Sequence, residues 1–208
     1  MKGILFKPDM VRAIIEGRKT VTRRVESGLT VLRPSYGWDC KGLAANGEFW
    51  FFNKSITCNH IAKPRYQVGE VVYIKEAHRY IQNDGDPYDF GIQYKSDSQV
   101  KWWRDNGNLM DYPIDEKWRS PLFLKELFAR YFLKIVGVRA ERVQEISEED
   151  ARAEGVIPYI EDAGDGHLWS PGGAKAYRLE FKDLWYSINK DFPFESNPYV
   201  FRYGFNRI

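Results

Sequence analysis

The residues best suited to chemistry stand together near the N-terminus, in Gly17-Arg18-Lys19-Thr20-Val21-Thr22-Arg23-Arg24. Four of them, Arg18, Lys19, Arg23 and Arg24, are cations within a stretch of seven residues. Like charges this close raise one another's free energy in the charged form. A lysine among them therefore titrates lower than a free one, more so if it is buried. A lysine with a depressed pKa can act as a general base or a nucleophile. Hydroxyls flank it at Thr20 and Thr22. In an extended segment Thr20, Thr22 and Arg24 share one side and Lys19 faces the other, so a bulge or turn is needed to bring Lys19 and Thr22 together. The simpler reading of these residues is a solvated basic turn.

Elements that position this segment can be read on both sides of it. Ile4-Leu5-Phe6 reads as a short strand. Lys7-Pro8-Asp9 opens a helix whose apolar face is Met10, Val11, Ile14 and Ile15, and Gly17 caps it. The β-branched alternation after Gly17 predicts an extended chain. Residues 26–47 are rich in Gly, Ser and Pro and read as a loop. Strands are expected over 48–52, 68–76 and 131–143. Residues 80–116 read as an irregular insertion with a short strand near Ile92 to Tyr94. Ser147-Glu148-Glu149-Asp150 resembles a capping box and starts a short helix ending near Gly155. Residues 158–173 read as a loop. Tyr177, Phe181, Leu184, Trp185 and Ile188 recur at helical spacing, and Tyr199, Phe201, Tyr203 and Phe205 alternate as a closing strand.

This order mixes strands and helices without regular βαβ alternation, so the expected class is α+β or a small barrel decorated with helices. It contains no phosphate-loop or dinucleotide glycine fingerprint and no nucleophile elbow. The chain has 208 residues, 43% hydrophobic and 29% charged, an ordinary globular composition. No apolar run approaches the ~20 residues that span a bilayer, and Met1 to Pro8 lacks the apolar core of a signal peptide. A cytoplasmic protein with no membrane partner is expected. Cys40, Cys58, His60, His78 and His167 do not form a zinc-ligand spacing, so no metal, no cofactor and no disulfide are expected. Net charge is +2. Residues 1–66 hold 12 basic and 5 acidic groups, a balance of +7, and the remainder is at −5. Such asymmetry can mark an anionic partner. Trp102-Trp103, flanked by Lys101 and Arg104, would suit base stacking beside phosphates, or would cap a core under a long loop.

The segment Gly17-Arg18-Lys19-Thr20-x-Thr22-x-Arg24 resembles the signature of ASCH domains, of the PUA-like superfold. The resemblance continues in residues 67–76 (Gln-Val-Gly-Glu-Val-Val-Tyr-Ile-Lys-Glu), in 139–155, in Phe181-x-x-Leu184-Trp185 and in Asn197-Pro198-Tyr199-Val200-Phe201. These blocks are similar to those of longer ASCH proteins common in phages and prophages. The resemblance implies one ASCH/PUA-like domain over 1–208, a small mixed β-barrel with flanking helices, with loop-rich insertions at about 26–64, 81–116 and 156–174. It implies an amidohydrolase acting on an N4-acylated cytidine-type nucleoside, with Lys19, Thr22 and Glu154 catalytic. Thr22 would attack or position a water, Lys19 would take the proton, and Glu154 would pair with Lys19 and protonate the leaving amine. Arg18, Thr20, Arg24 and Glu76 are expected to bind substrate. A non-catalytic RNA- or nucleotide-binding module is the alternative, and a ribonuclease the least favoured. The expected partner is thus a nucleoside or RNA.

Overall fold

In the computed structural model the chain runs through β1 (Lys2–Leu5), α1 (Pro8–Ile15), β2 (Val21–Arg24), β3 (Trp38–Leu43), β4 (Phe49–Asn53), β5 (Cys58–Ala62), β6 (Val71–Lys75), β7 (His78–Asn83), β8 (Asp86–Tyr94), β9 (Val100–Arg104), β10 (Phe132–Arg142), α2 (Glu148–Ala153), β11 (Glu161–Asp162), β12 (Leu168–Trp169), α3 (Ala176–Ile188) and β13 (Tyr199–Arg207). The structure describes residues 1–32, 36–83, 85–104, 117–162, 168–169, 173 and 176–208. His167 lies outside them. The class is α+β, mostly sheet. No helix among the described residues is long and apolar enough to cross a membrane. Cys40 and Cys58 are free thiols.

The chain divides into two units. One comprises residues 1–16, 71–134 and 207–208, the other 17–70 and 135–206. In the first, β1 pairs in parallel with β6, and the start of β10 pairs antiparallel to β6, with Phe132 opposite Tyr73. Proline at the first position of α1 has its φ already set for a helix, and Asp9 sits at the helix's positive end. Val11, Ala13 and Ile14 are its buried residues.

The irregular insertion expected over 81–116 is corrected by the structure as far as Arg104; residues 105–116 lie outside the described residues. Residues 78–104 form a three-stranded antiparallel meander, β7-β8-β9. One face carries Tyr80, Phe90 and Ile92, which join Tyr94, Leu124 and Phe128 in a buried cluster. Asn83 ends β7, Gly85 precedes β8 and Asp97 lies between β8 and β9, whereas Gly91 stands within β8. The insertion expected at 26–64 is also partly sheet. Trp38 to Ala62 form the antiparallel meander β3-β4-β5, burying Trp38, Phe49, Phe51 and Ala62. A bulge between Cys40 and Gly42 absorbs the glycine that pointed to a loop. The 158–173 stretch holds the two-residue pair β11 and β12.

These meanders also bear on the expected barrel. Among the described residues every sheet is open, and no closed barrel forms.

In the second unit β13 lies antiparallel to β2, with Arg202 opposite Arg23 and Tyr203 opposite Thr22. Ser147 caps α2, its Oγ accepting from the Asp150 N–H at 3.1 Å. Phe181 and Trp185 of α3 pack with Val143, Ile146, Ala151 and Val200. Ile188, at the end of α3, is exposed and lies outside this core.

Candidate functional site

The basic segment is stitched in place by backbone bonds. Gly17 turns the chain at φ +76° and Gly155 does so after α2 at φ +85°. Both are conformations that a β-carbon makes costly. Between these turns the chain pairs as an isolated bridge, Lys19 opposite Glu154. Thr20 N–H donates to the Ala153 carbonyl at 2.9 Å, and Phe205 N–H to the Thr20 carbonyl at 2.9 Å. Arg18 reaches over the same corner and donates to the Gly155 carbonyl at 2.8 Å.

Lys19 is only 2% exposed. Its Nζ donates to Glu154 Oε2 at 2.6 Å and to the Glu154 backbone carbonyl at 2.8 Å. The ammonium therefore satisfies both a carboxylate and an orphan carbonyl at the C-terminal end of α2. Burial is the largest influence on Lys19 and pulls its pKa below the ordinary lysine value. The Glu154 charge opposes this, and Arg24 and Arg23 add to the lowering.

Glu154 Oε1 accepts from a second cation, Arg23 Nη1, at 3.1 Å. Arg23 also donates from Nε to Glu141 Oε1 and from Nη2 to Asp150 Oδ2, each at 2.6 Å. Asp150 and Glu154 are four residues apart on α2 and so share a face, which lets one planar guanidinium span them. Asp150 Oδ1 accepts from Arg202 Nη2 at 2.7 Å. Arg139 donates to both Glu141 and Asp150. Two arginines directly opposite on neighbouring strands repel. Asp150 between Arg23 and Arg202 turns that repulsion into a network.

The other face of β2 carries different residues. Thr22 is 5% exposed, stands opposite Tyr203, and makes no hydrogen bond to Lys19 or Glu154 among the described residues. Arg24 has the same parity, with Tyr66, Glu154, Glu26 and Tyr203 as charged or polar neighbours. Glu26 accepts from Tyr203 Oη at 2.7 Å and from the Arg65 N–H at 2.9 Å. Burial is the main influence on Glu26 and raises its pKa.

The structure thus brings Lys19 and Glu154 together, with Arg18 and Thr20 at the same corner through backbone-directed bonds. Thr22 and Arg24 have the other parity on β2, and Arg24 still lies close enough to act electrostatically on both Lys19 and Glu154. Glu76 belongs to the other unit. Its carboxylate accepts from Arg130 Nη2 at 2.7 Å, Arg130 Nε at 3.2 Å and Ser96 Oγ at 2.7 Å. Arg23 was missed by sequence reasoning as a partner of this site. The signal was available: in an alternating segment Arg23 has the same parity as Lys19, and Thr22 the opposite.

Among the described residues no group of three or more His, Cys, Asp or Glu is placed to hold a metal ion. His78 is buried, with Nδ1 at 3.0 Å from the Glu76 carbonyl oxygen. Burial lowers its pKa. His60 Nε2 lies 2.6 Å from the Gly28 carbonyl oxygen.

Asp150 yields a pH prediction. Burial pushes its pKa up, but the Arg202 hydrogen bond and the charges of Arg23, Arg202 and Arg139 outweigh burial and hold it below the ordinary value. A depressed folded-state pKa means the unfolded chain binds more protons in that window. The contribution is therefore complete above the unfolded value of about 3.9 and is lost as pH falls through the folded one. Asp150→Asn is expected to be less stable than wild type at neutral pH and to lose less further stability in acid. Urea midpoints measured at neutral and acidic pH check this. Parallel pH curves for the two proteins would contradict it.

No protein-family model, curated protein or solved structure matches the chain. What fold and site define is an α+β protein in which a buried lysine and glutamate close on each other beneath an arginine clamp.

Proposed function

We propose that this is an ASCH-type, PUA-like protein that hydrolyses the amide of an N4-acylated cytidine-type nucleoside. The observation that carries the reading is the buried contact of Lys19 Nζ with Glu154 Oε2, at 2.6 Å. A proton-transfer pair needs a base whose pKa is brought toward neutrality and a partner that holds it in place. Burial acts on Lys19 in that direction, and Glu154 supplies the hold.

In this reading water adds to the acyl carbonyl, and neutral Lys19 takes its proton. The resulting ammonium stays on Glu154 and returns a proton to N4 as the C–N bond breaks. The products are the carboxylic acid and the free cytidine amine. Thr22 makes no hydrogen bond to Lys19 among the described residues, so in this reading it helps to position the water rather than being activated as the nucleophile. Arg24, on the same side as Thr22, is assigned to substrate oxygens.

A second reading, a nucleotide- or RNA-binding module without turnover, draws support from how completely Lys19, Glu154 and Arg23 already satisfy one another. Incubation with N4-acetylcytidine separates the two. Release of cytidine by the wild type supports the hydrolase. Binding of the nucleoside with no release favours the module, and neither binding nor release overturns both.

A further inference from the structure

The pleat of β9 divides the tandem Trp102-Trp103. Trp103 turns inward, its ring centroid 6.0 Å from that of Phe90 and 5.1 Å from that of Phe128. Trp102 turns outward and is 47% exposed. Strand register sets Ile81, Gly91 and Trp102 in one row and Arg79, Gln93 and Val100 in the next, all on the outer face of the meander. A β-carbon on Gly91 would stand 2.9 Å from Trp102 Cζ3, so the indole reaches across the glycine.

The cations of this face are held by contacts around a second indole. Arg79 Nε donates to Gln93 Oε1 at 2.7 Å. Its guanidinium lies over the Trp118 ring, 5.1 Å from the centroid. Lys95, just past the end of β8, places its Nζ 5.6 Å from the same centroid. Trp118 is 42% exposed. Arg104 is two residues beyond Trp102 on that side, 3.7 Å from Asp89.

Exposed Trp102 on the sheet face and exposed Trp118 against Arg79, with Arg79, Lys95 and Arg104 beside one carboxylate, Asp89, among the described residues, fit a polyanion that carries flat rings. We infer that this face binds single-stranded nucleic acid, with a base stacked on Trp102 and phosphates taken by Arg79 and Lys95. A duplex keeps its base faces inside the stack, whereas a single strand offers them. Arginine and lysine poised over an indole are ordered before binding, so less side-chain entropy is lost when a phosphate arrives. This surface uses none of Lys19, Arg23, Thr22 or Glu154, and so extends beyond the hydrolase reading.

The test is fluorescence-anisotropy titration with short oligouridylate, short oligothymidylate and a mixed-sequence duplex, across a range of salt. At least one single strand is expected to bind, more tightly than the duplex, with affinity falling as salt rises. Trp102→Ala is expected to weaken it about 5- to 150-fold, the equivalent of ~1–3 kcal/mol per stacked base. Trp102→Phe should retain most of the affinity. Combined Arg79→Ala and Lys95→Ala should flatten the log–log salt slope by about 0.7 for each phosphate that is no longer neutralised. Circular dichroism verifies that the variants are folded. If Trp102→Ala is not, the Phe and double-cation variants decide. Lys19→Arg, which keeps the charge beside Glu154, should leave oligonucleotide affinity unchanged, whatever it does to hydrolysis. The inference is overturned if neither single strand binds at low salt, if the duplex binds equally well, if Trp102→Ala or the double-cation variant binds as wild type, or if folded Lys19→Arg no longer binds.

Discussion

Arg23→Met is expected to cost the fold about 3–5 kcal/mol, the range seen when one partner of a buried ion pair is removed. Arg23 is buried and is the single group that touches Glu141, Asp150 and Glu154 together. By count, Lys19, Arg139 and Arg202 still balance those three carboxylates. None of the three bonds to all of them, however. Lys19 holds Glu154, Arg139 holds Glu141 and Asp150, and Arg202 holds Asp150. Without Arg23 each acid stays out of water and loses a donor, and losing a charge-assisted hydrogen bond in low dielectric is what makes the substitution expensive. Methionine fills most of the volume and stays against Phe181, whose ring centroid lies 5.8 Å from the guanidinium carbon. The loss is therefore electrostatic rather than a cavity. Arg23→Lys keeps one charge but cannot fork, and should fall between wild type and Arg23→Met. Urea denaturation measures both. A loss below about 1 kcal/mol for Arg23→Met would put this network among exposed ion pairs of little consequence.

The second large effect concerns turnover. If the hydrolase reading holds, Lys19→Met should lower cytidine release from N4-acetylcytidine by about 10²–10⁴-fold, the usual contribution of general acid–base catalysis. Lys19→Met also strips Glu154 of its nearest partner, so the variant loses stability, and activity alone would not separate the two roles. Lys19→Arg separates them. Arginine keeps the positive charge beside Glu154 and the carbonyl, so stability should largely return. It cannot be deprotonated in a protein, so turnover should not. Activity in Lys19→Arg near that of wild type would show that Lys19 carries a charge and not a proton. Thr22→Val refines the assignment: a residue that positions a water loses far less turnover than a nucleophile whose removal ends the reaction.

Elements whose patterns repeat locally were legible in the sequence. The stripe of Phe181 and Trp185, the alternation through β10 and β13, and the Ser147 cap all follow from side-chain period or from a single hydrogen bond within four residues. Of the meanders only β4 and the end of β8 were legible. Trp38 to Leu43 and Val100 to Arg104 contain glycine, charge and adjacent tryptophans. Their strand character comes from neighbours across a turn rather than from their own alternation.

The sequence by itself determined that four cations crowd together around Lys19, while Glu154 as its partner was only what the resemblance implied. It also determined that the basic excess lay N-terminally and the acidic excess beyond it. Only the tertiary structure decided how those charges meet. Glu141, Asp150 and Glu154 return to Lys19 and Arg23, so much of the basic segment's charge is neutralised within the fold. It also decided that Arg23, and not Thr22, shares Glu154 with Lys19. The reason is geometric. Which face of a strand meets an acidic helix depends on register with β13 and on the packing of α2, contacts that join residues more than a hundred positions apart. No local spacing encodes them.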